Sequence, residues 1–279
     1  MKVAVIGVGL IGGSFALRLK EKNLSQKIIG VDTNASHAAQ ALEMGIVDEM
    51  LMLEEAVIAS DLIVLAVPVD VSEKLLPKIM SLVKHQVVMD MGSTKTAVCA
   101  IASGFNNSGR FVATHPMWGT EFSGPSAALK TAFAGKAVVI CNKENTDIDA
   151  LLLIEDIYRK IDMRLLYMNA EAHDVHAAYV SHISHITSFA LANTVLEKEK
   201  EDEAIFELAS AGFESTVRLA KSNPEMWVPI FMQNKENVLD VLNEHISQLK
   251  KFKACLEKEN VEYLGALIQH ANSIKRILK

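Results

Sequence analysis

Val3-Ala4-Val5-Ile6-Gly7-Val8-Gly9-Leu10-Ile11-Gly12-Gly13-Ser14 is an apolar β-branched run, a glycine-spaced turn and the opening of a helical pattern. A GxGxxG on its own is a weak signal, but here it follows a strand-like run and starts a helix, which is the context that gives it meaning. Gly7 allows the tight turn, Gly9 lets backbone approach a pyrophosphate, and Gly12 lets helix and strand close on one another, with the helix N-terminus facing the anion. Asp32 ends the next apolar run, 28–31, where a carboxylate accepts hydrogen bonds from adenosine ribose hydroxyls. A carboxylate there repels a 2′-phosphate, and Thr33 and Asn34 bring no positive charge, so the pattern favours NAD over NADP. The competing reading is a bare glycine turn with Asp32 capping the following helix. The cofactor set is read as Gly7, Gly9, Leu10, Ile11, Gly12 and Asp32, with Val67 at the end of a strand over 62–67.

Outward from that loop, short apolar runs at 3–6, 28–31, 62–67, 87–89, 111–113 and 137–140 alternate with helical patterns at 10–22, 34–44, 71–83, 94–102 and 146–160. A last strand is expected near 163–167. Such alternation predicts βαβ units, and runs apolar on both faces predict strands covered by helices on each side. Pro77 is expected to break or kink the third helix. From about Asn169 no further strand-like run occurs, and helices are expected at 170–197, 203–211, 215–220, 223–244 and 246 to the end, with heptad-like spacing over Val238, Leu239, Leu242, Ile246 and Leu249. The expected fold is α/β: a Rossmann-type doubly wound parallel sheet over 1–168, then an all-α half over 169–279. Stripes of this kind need covering, so a homodimer through the helical half is expected.

The 279 residues carry 28 Lys and Arg against 34 Asp and Glu, a formal charge of −6, without a basic cluster interleaved with aromatics. Nucleic acid is therefore not an expected partner. Half of the residues are hydrophobic and 22% charged, the balance of a chain that folds. The apolar run 62–69 is far short of the ~20 residues that cross a bilayer, so no membrane association is expected. The chain enters its first strand at once, without the charged and apolar leader of an exported protein, and a cytoplasmic location is expected. Cys99, Cys141 and Cys255 are odd in number and far apart, which suggests neither a disulfide framework nor a cysteine metal site.

Three segments place polar groups where strand ends meet a cofactor cleft. In Asp90-Met91-Gly92-Ser93-Thr94-Lys95 the Ser93 hydroxyl either faces nicotinamide and substrate or, with Thr94, caps the next helix. In Thr114-His115-Pro116-Met117-Trp118-Gly119-Thr120-Glu121-Phe122-Ser123-Gly124-Pro125, rich in glycine and proline, His115 stands at a strand end, either as a catalyst or as a surface histidine. In the third, His173 and His176, and likewise His182 and His185, are three apart on one side of a helix. Histidines buried at a helix crossing are the other reading for His173 and His176, and His176 has no assigned role. No HExxH occurs and hydride transfer requires no metal, so none is expected.

These residues together resemble the prephenate dehydrogenase family. The resemblance is carried by the Gly7 to Ser14 loop, Gly92-Ser93-Thr94-Lys95, His115-Pro116-Met117 with Gly119-Thr120-Glu121, His173-Asp174, Ser181-His182 with His185, and Gly212-Phe213 followed by Thr216, Arg218, Pro224 and Met226-Trp227. It spans the chain from the first strand to about Asn237. It implies an NAD- or NADP-dependent enzyme of tyrosine biosynthesis with a helical domain that dimerises. On this resemblance His115 contacts the substrate's ring hydroxyl, Ser93 is the motif serine, Arg218 binds a substrate carboxylate, and His182, His185, Gly119 and Thr120 complete the substrate set. Trp118 stands where the family commonly has Ala, and Val217 separates Thr216 from Arg218, which the family often places next to each other.

The implied reaction is oxidative decarboxylation of prephenate to 4-hydroxyphenylpyruvate. His115 accepts the hydroxyl proton as hydride leaves, with a rate expected to fall below about pH 6.5 as the imidazole protonates. Arogenate dehydrogenase is the nearest alternative, although His185 suits a keto acid more naturally than an ammonium. A β-hydroxyacid dehydrogenase would want a lysine on the long helix at 170–196, which has none. A non-catalytic NAD-sensing protein is the alternative from another class.

Overall fold

The computed structural model describes residues 1–200 and 207–277, which fall into two compact units, Met1–Asn234 and Lys235–Lys279. In the first unit β1 (Lys2–Ile6), α1 (Leu10–Glu21), β2 (Lys27–Val31), α2 (Ala35–Glu43), β3 (Glu49–Met50), α3 (Leu53–Ala59), β4 (Leu62–Leu65) and α4 (Val69–Leu82) form the first half of a doubly wound sheet. It continues through β5 (Val87–Asp90), α5 (Thr96–Ser103), β6 (Phe111–Pro116), β7 (Ala137–Cys141), α6 (Ile148–Lys160) and β8 (Arg164–Met168). The strand order is β3-β2-β1-β4-β5-β6-β7-β8. Alternate residues of each strand serve opposite faces: Val3 and Val5 enter one apolar cluster with Phe15 and Tyr158, while Ala4 and Ile6 enter the other with Ile79 and Val139. This explains the unbroken apolar runs.

Chain order reverses at β1, whose neighbours are β2 and β4, and the crevice outside the carboxyl ends of strands at such a switch point is where open sheets take ligands. One pairing departs from the all-parallel expectation, since β7 runs antiparallel to β6. A parallel return needs a crossover of a dozen or more residues, usually a helix. Between β6 and β7 the chain instead forms a loop with a single short 3-10 turn at Pro125–Ala127. The two-residue β3 and the short α3 were not expected, being too brief to show a period. Pro77 does not end α4, which runs on to Leu82 because Leu76, Ile79 and Met80 are buried beneath it.

After β8 come α7 (Ala170–Ala177), a π-helical turn at Ala178–His182, α8 (Ile183–Glu199), α9 (Ala211–Val217) and α10 (Pro224–Gln233). The expected single helix 170–197 is thus interrupted by one wider turn, which rotates everything beyond it relative to α7. Of the expected helix 203–211, residues 203–206 lie outside the described residues, and α9 begins only at Ala211. Arg218 falls not inside a helix 215–220 but in a 3-10 turn, Arg218–Lys221.

The second unit holds α11 (Lys235–Glu257) and α12 (Val261–Asn272). The expected break between 244 and 246 is absent, and the spacing Val238 to Leu249 belongs to one helix. The chain turns instead at Glu259, whose φ is +52°, and Asn260 caps α12 by accepting the Tyr263 amide at 3.0 Å. No helix among the described residues is long and apolar enough to cross a membrane.

Candidate active site

The glycine loop can be judged by what a side chain would meet. A Cβ on Gly7, whose φ is +90°, would lie 2.5 Å from the Ala66 carbonyl oxygen and 2.8 Å from a Val67 methyl, and one on Gly12 would lie 2.0 Å from the Gly7 oxygen. At Gly9 it would meet nothing within 4 Å. Two glycines thus close the strand–helix corner, and the third leaves room in front of it, with Leu10 and Ile11 opening the helix that points its amides there. Asp32 Oδ2 accepts the Val8 amide at 3.2 Å and Oδ1 the Asn34 amide at 2.9 Å, which holds the carboxylate at the tip of β2. It is not a helix cap, because Asn34 caps α2 by accepting the Ser36 and His37 amides. Val67 lies just beyond β4, two residues past the strand's end at Leu65, against Gly7. A dinucleotide fits this corner on both counts: free space at Gly9 and an oriented carboxylate.

β1, β4, β5 and β6 are parallel neighbours, so the loops after β5 and β6 share the edge of the sheet that carries the glycine loop. The loop after β5 is pinned from beneath. Lys95, fully buried, donates to the fully buried Asp90 carboxylate and to the Thr114 carbonyl oxygen at 2.7 Å. The same carboxylate accepts the amides of Gly92 at 3.0 Å and Thr114 at 3.1 Å. A buried ion pair is tolerable only when its remaining hydrogen-bonding capacity is met in this way. Neither Ser93 nor Thr94 caps α5. Thr94 Oγ1 donates to Gln233 Oε1 at 2.5 Å, and the Ser93 hydroxyl, partly exposed, makes no hydrogen bond among the described residues. The cap comes from another helix: Asp174 Oδ1 accepts the Lys95 amide at 2.8 Å and Oδ2 the Thr96 amide at 2.9 Å.

His115, next to last in β6, stands beside that loop. Its Nδ1 is 2.8 Å from Nε2 of His173, whose Nδ1 is 2.8 Å from Asp174 Oδ1. Burial, together with the neighbouring His173 ring, Lys95 and His182, holds the His115 pKa well below the ordinary 6.5. His173 is 3% exposed, whereas His176 is exposed, so the two do not share a buried side. His182, 1% exposed, accepts at Nδ1 from Asn234 Nδ2 at 3.2 Å and meets Trp227 and Phe231 edge-on; burial, opposed by Asp174, lowers its pKa to about 4. His185 stacks on Trp227 with ring centroids 3.4 Å apart and donates from Nδ1 to the Ser181 carbonyl at 3.0 Å. Burial lowers its pKa, and the Ser181 bond opposes this while the Arg218 charge adds to it.

Arg218 is half-exposed and donates to Glu121 Oε2 at 3.1 Å. That bond joins it to the loop bearing Gly119, which is exposed, and Thr120, whose hydroxyl accepts the Phe122 amide at 3.3 Å. Trp118, partly buried, packs edge-on against Phe133 with centroids 5.1 Å apart. The structure thus gathers His115, His173, Asp174 and His182 in one cluster, and His185, Arg218 and Glu121 in a second, with the His182 and His185 charges felt between them. Sequence reading assigned no task to Asp90, Lys95, Asp174, Asn234 or Glu121. Lys95, Glu121 and Asp174 do stand in the motifs that carry the resemblance, but without a role.

The family models for the prephenate dehydrogenase nucleotide-binding domain and dimerization domain match residues 15–167 and 169–270. The chain is 30% identical to the prephenate dehydrogenase of Bacillus subtilis (strain 168) over 266 residues, 94% of this chain and 72% of that one. It superposes on a crystal structure of prephenate dehydrogenase from A. aeolicus in complex with hydroxyphenyl propionate and NAD+ with a TM-score of 0.90 at 31% identity, covering 99% of this chain and 97% of that one. Synechocystis arogenate dehydrogenase matches with a TM-score of 0.79 at 26% identity, over 100% of both chains. The chain belongs to the prephenate dehydrogenase family and is an NAD-dependent oxidoreductase.

Proposed function

We propose that the chain carries out oxidative decarboxylation of prephenate to 4-hydroxyphenylpyruvate with His115 as the proton acceptor. The observation that carries this reading is a histidine near the end of β6, on the sheet edge that bears the glycine loop and 2.8 Å from a buried second histidine, with a pKa that burial lowers. NAD, when bound, supplies the hydride acceptor. Gly7, Gly9, Leu10, Ile11 and Gly12 hold its pyrophosphate, Asp32 its ribose, and Val67 flanks it. As hydride leaves the ring carbon bearing the hydroxyl, His115 takes the hydroxyl proton, and loss of the ring carboxylate as CO2 aromatises the product. Ser93, with its hydroxyl uncommitted, orients the ring hydroxyl and the imidazole. Arg218 binds a substrate carboxylate in exchange for Glu121, a planar fork suited to a bidentate partner. Gly119 and Thr120 border that exchange, while His185 and the His182 behind it wall the substrate.

A second reading is favoured by His185. Its Nδ1 proton is spent on Ser181, so the neutral ring offers an acceptor at Nε2, which suits the ammonium of arogenate better than a keto oxygen. The keto-acid preference expected of this residue therefore has no support from its hydrogen bonding. NADH absorbance with prephenate and arogenate in parallel separates the two; no NADH from either would overturn both. The division at 168/169 and a homodimer through the helical half are supported by the dimerization-domain match and by the exposed Leu239, Leu249, Leu256, Val261 and Ile268 of the second unit. A reducing, cytoplasmic setting suits three cysteines that are all free thiols.

A further inference from the structure

We infer that Asp174 and His173 form a relay that sets the tautomer of His115, leaving Nε2 as its proton-accepting nitrogen and supporting the charge it acquires. This rests on the reading of His115 as the base. The argument starts from Asp174, which can only accept when ionised. Burial would raise its pKa, yet the hydrogen bonds from His173 and from the Thr96 and Lys95 amides hold it below the usual carboxylate value. A carboxylate 2.8 Å from His173 Nδ1 requires a proton on that nitrogen. Neutral His173 then has a bare lone pair on Nε2, and the atom 2.8 Å from it, His115 Nδ1, has to supply the proton. The remaining His115 nitrogen, Nε2, is therefore unprotonated.

The opposite assignment fails at each link. With Nε2–H on His173 its Nδ1 would face the carboxylate with two lone pairs opposed. A cationic His173 would satisfy Asp174 but would force His115 into the Nε2–H form, which cannot take a proton. That form is incompatible with His115 as the base, the reading on which the relay rests. Once His115 accepts a proton at Nε2 its Nδ1–H still points at His173, and the imidazolium charge is shared along the line to Asp174. His173 and Asp174 are positioning residues here, since neither touches the substrate.

The same carboxylate caps α5, so Asp174 variants mix two effects, and the test is placed on His173 and on the tautomer itself. In wild-type protein labelled with 15N-histidine, NMR near neutral pH should show both His115 and His173 protonated on Nδ1 and bare on Nε2, the signals assigned by their loss in His115→Asn and His173→Gln. His115 protonated on Nε2 would overturn the relay. His173→Phe, which removes the acceptor from His115 Nδ1, should lower kcat by about 10²- to 10⁴-fold with KM for NAD and for substrate unchanged, and His115 should no longer show a single Nδ1–H form. His173→Gln, whose carbonyl can accept the same proton, should recover part of the lost turnover and keep the Nδ1–H form. A fall in KM performance equal to that in kcat, or lost turnover with the His115 tautomer unaltered, would mean that His173 is merely structural. The tautomer is read without turnover. A failure of His115 as base, seen as an active His115→Asn variant, is thereby distinguishable from a failure of the relay.

Discussion

Replacing His115 with Asn tests the proposed base with little disturbance of its surroundings. The amide can still hydrogen-bond His173, which lies 2.8 Å from the imidazole, so what is deleted is the nitrogen that accepts the substrate proton. General-base catalysis of this kind contributes about 10²- to 10⁴-fold, or about 3 to 5 kcal/mol at ~1.4 kcal/mol per decade. The loss should fall on kcat, because the contact strengthens only as the hydroxyl proton moves, and NAD affinity should be unchanged. The structure also corrects the expected pH dependence. A base works when neutral, and a pKa lowered by burial keeps His115 neutral into more acid solution. Activity should hold as pH falls through 6.5 and drop only well below it, as pH passes through the lowered value. Initial rates of NADH formation across a pH series, for wild type and His115→Asn, measure both effects. A variant with near-normal kcat, or a wild-type acid limb centred near pH 6.5, would refute the reasoning.

Arg218→Ala removes a charge-assisted carboxylate contact worth about 1.5–3 kcal/mol, so KM for prephenate should rise about ten- to a hundredfold with NAD binding unchanged; an unaltered KM would place the carboxylate elsewhere. Asp32→Ser combined with Thr33→Arg should move the kcat/KM ratio toward NADP, and a wild type that already prefers NADP would contradict the role of Asp32. Thr114 Oγ1 joins the Asp90 carbonyl at 2.6 Å and the Tyr158 hydroxyl at 2.7 Å, all buried. Thr114→Val should therefore cost about 1–3 kcal/mol in urea unfolding by stranding the Tyr158 hydroxyl, part of which Tyr158→Phe should restore; no change would show that hydroxyl to be solvated. Light scattering at micromolar concentration should give a mass near twice 30.5 kDa, and a monomer would remove the dimer.

Local chemistry made the nucleotide-binding half legible in the sequence. The glycines of 7–12, the apolar runs and Asp32 make their contacts among neighbours in the chain or across one βαβ unit, so their placement follows from spacing alone. The positions of Ser93 and His115 at strand ends were legible for the same reason. Strand direction at β7 was not, because it depends on whether the chain between 117 and 136 builds a crossover helix, and the run holds no period long enough to decide. The helical half was read least well: breaks at Asn234 and Glu259 and the π turn at Ala178–His182 are set by what each side chain meets in three dimensions. The surroundings of His115, the proposed base, belong wholly to the tertiary structure. Asp174 lies 59 residues from it and 79 from Lys95, and only the folded chain brings one carboxylate against a helix end and a histidine at once. The lowered pKa of His115 likewise arises first from burial, a property of the assembled core that no local pattern encodes.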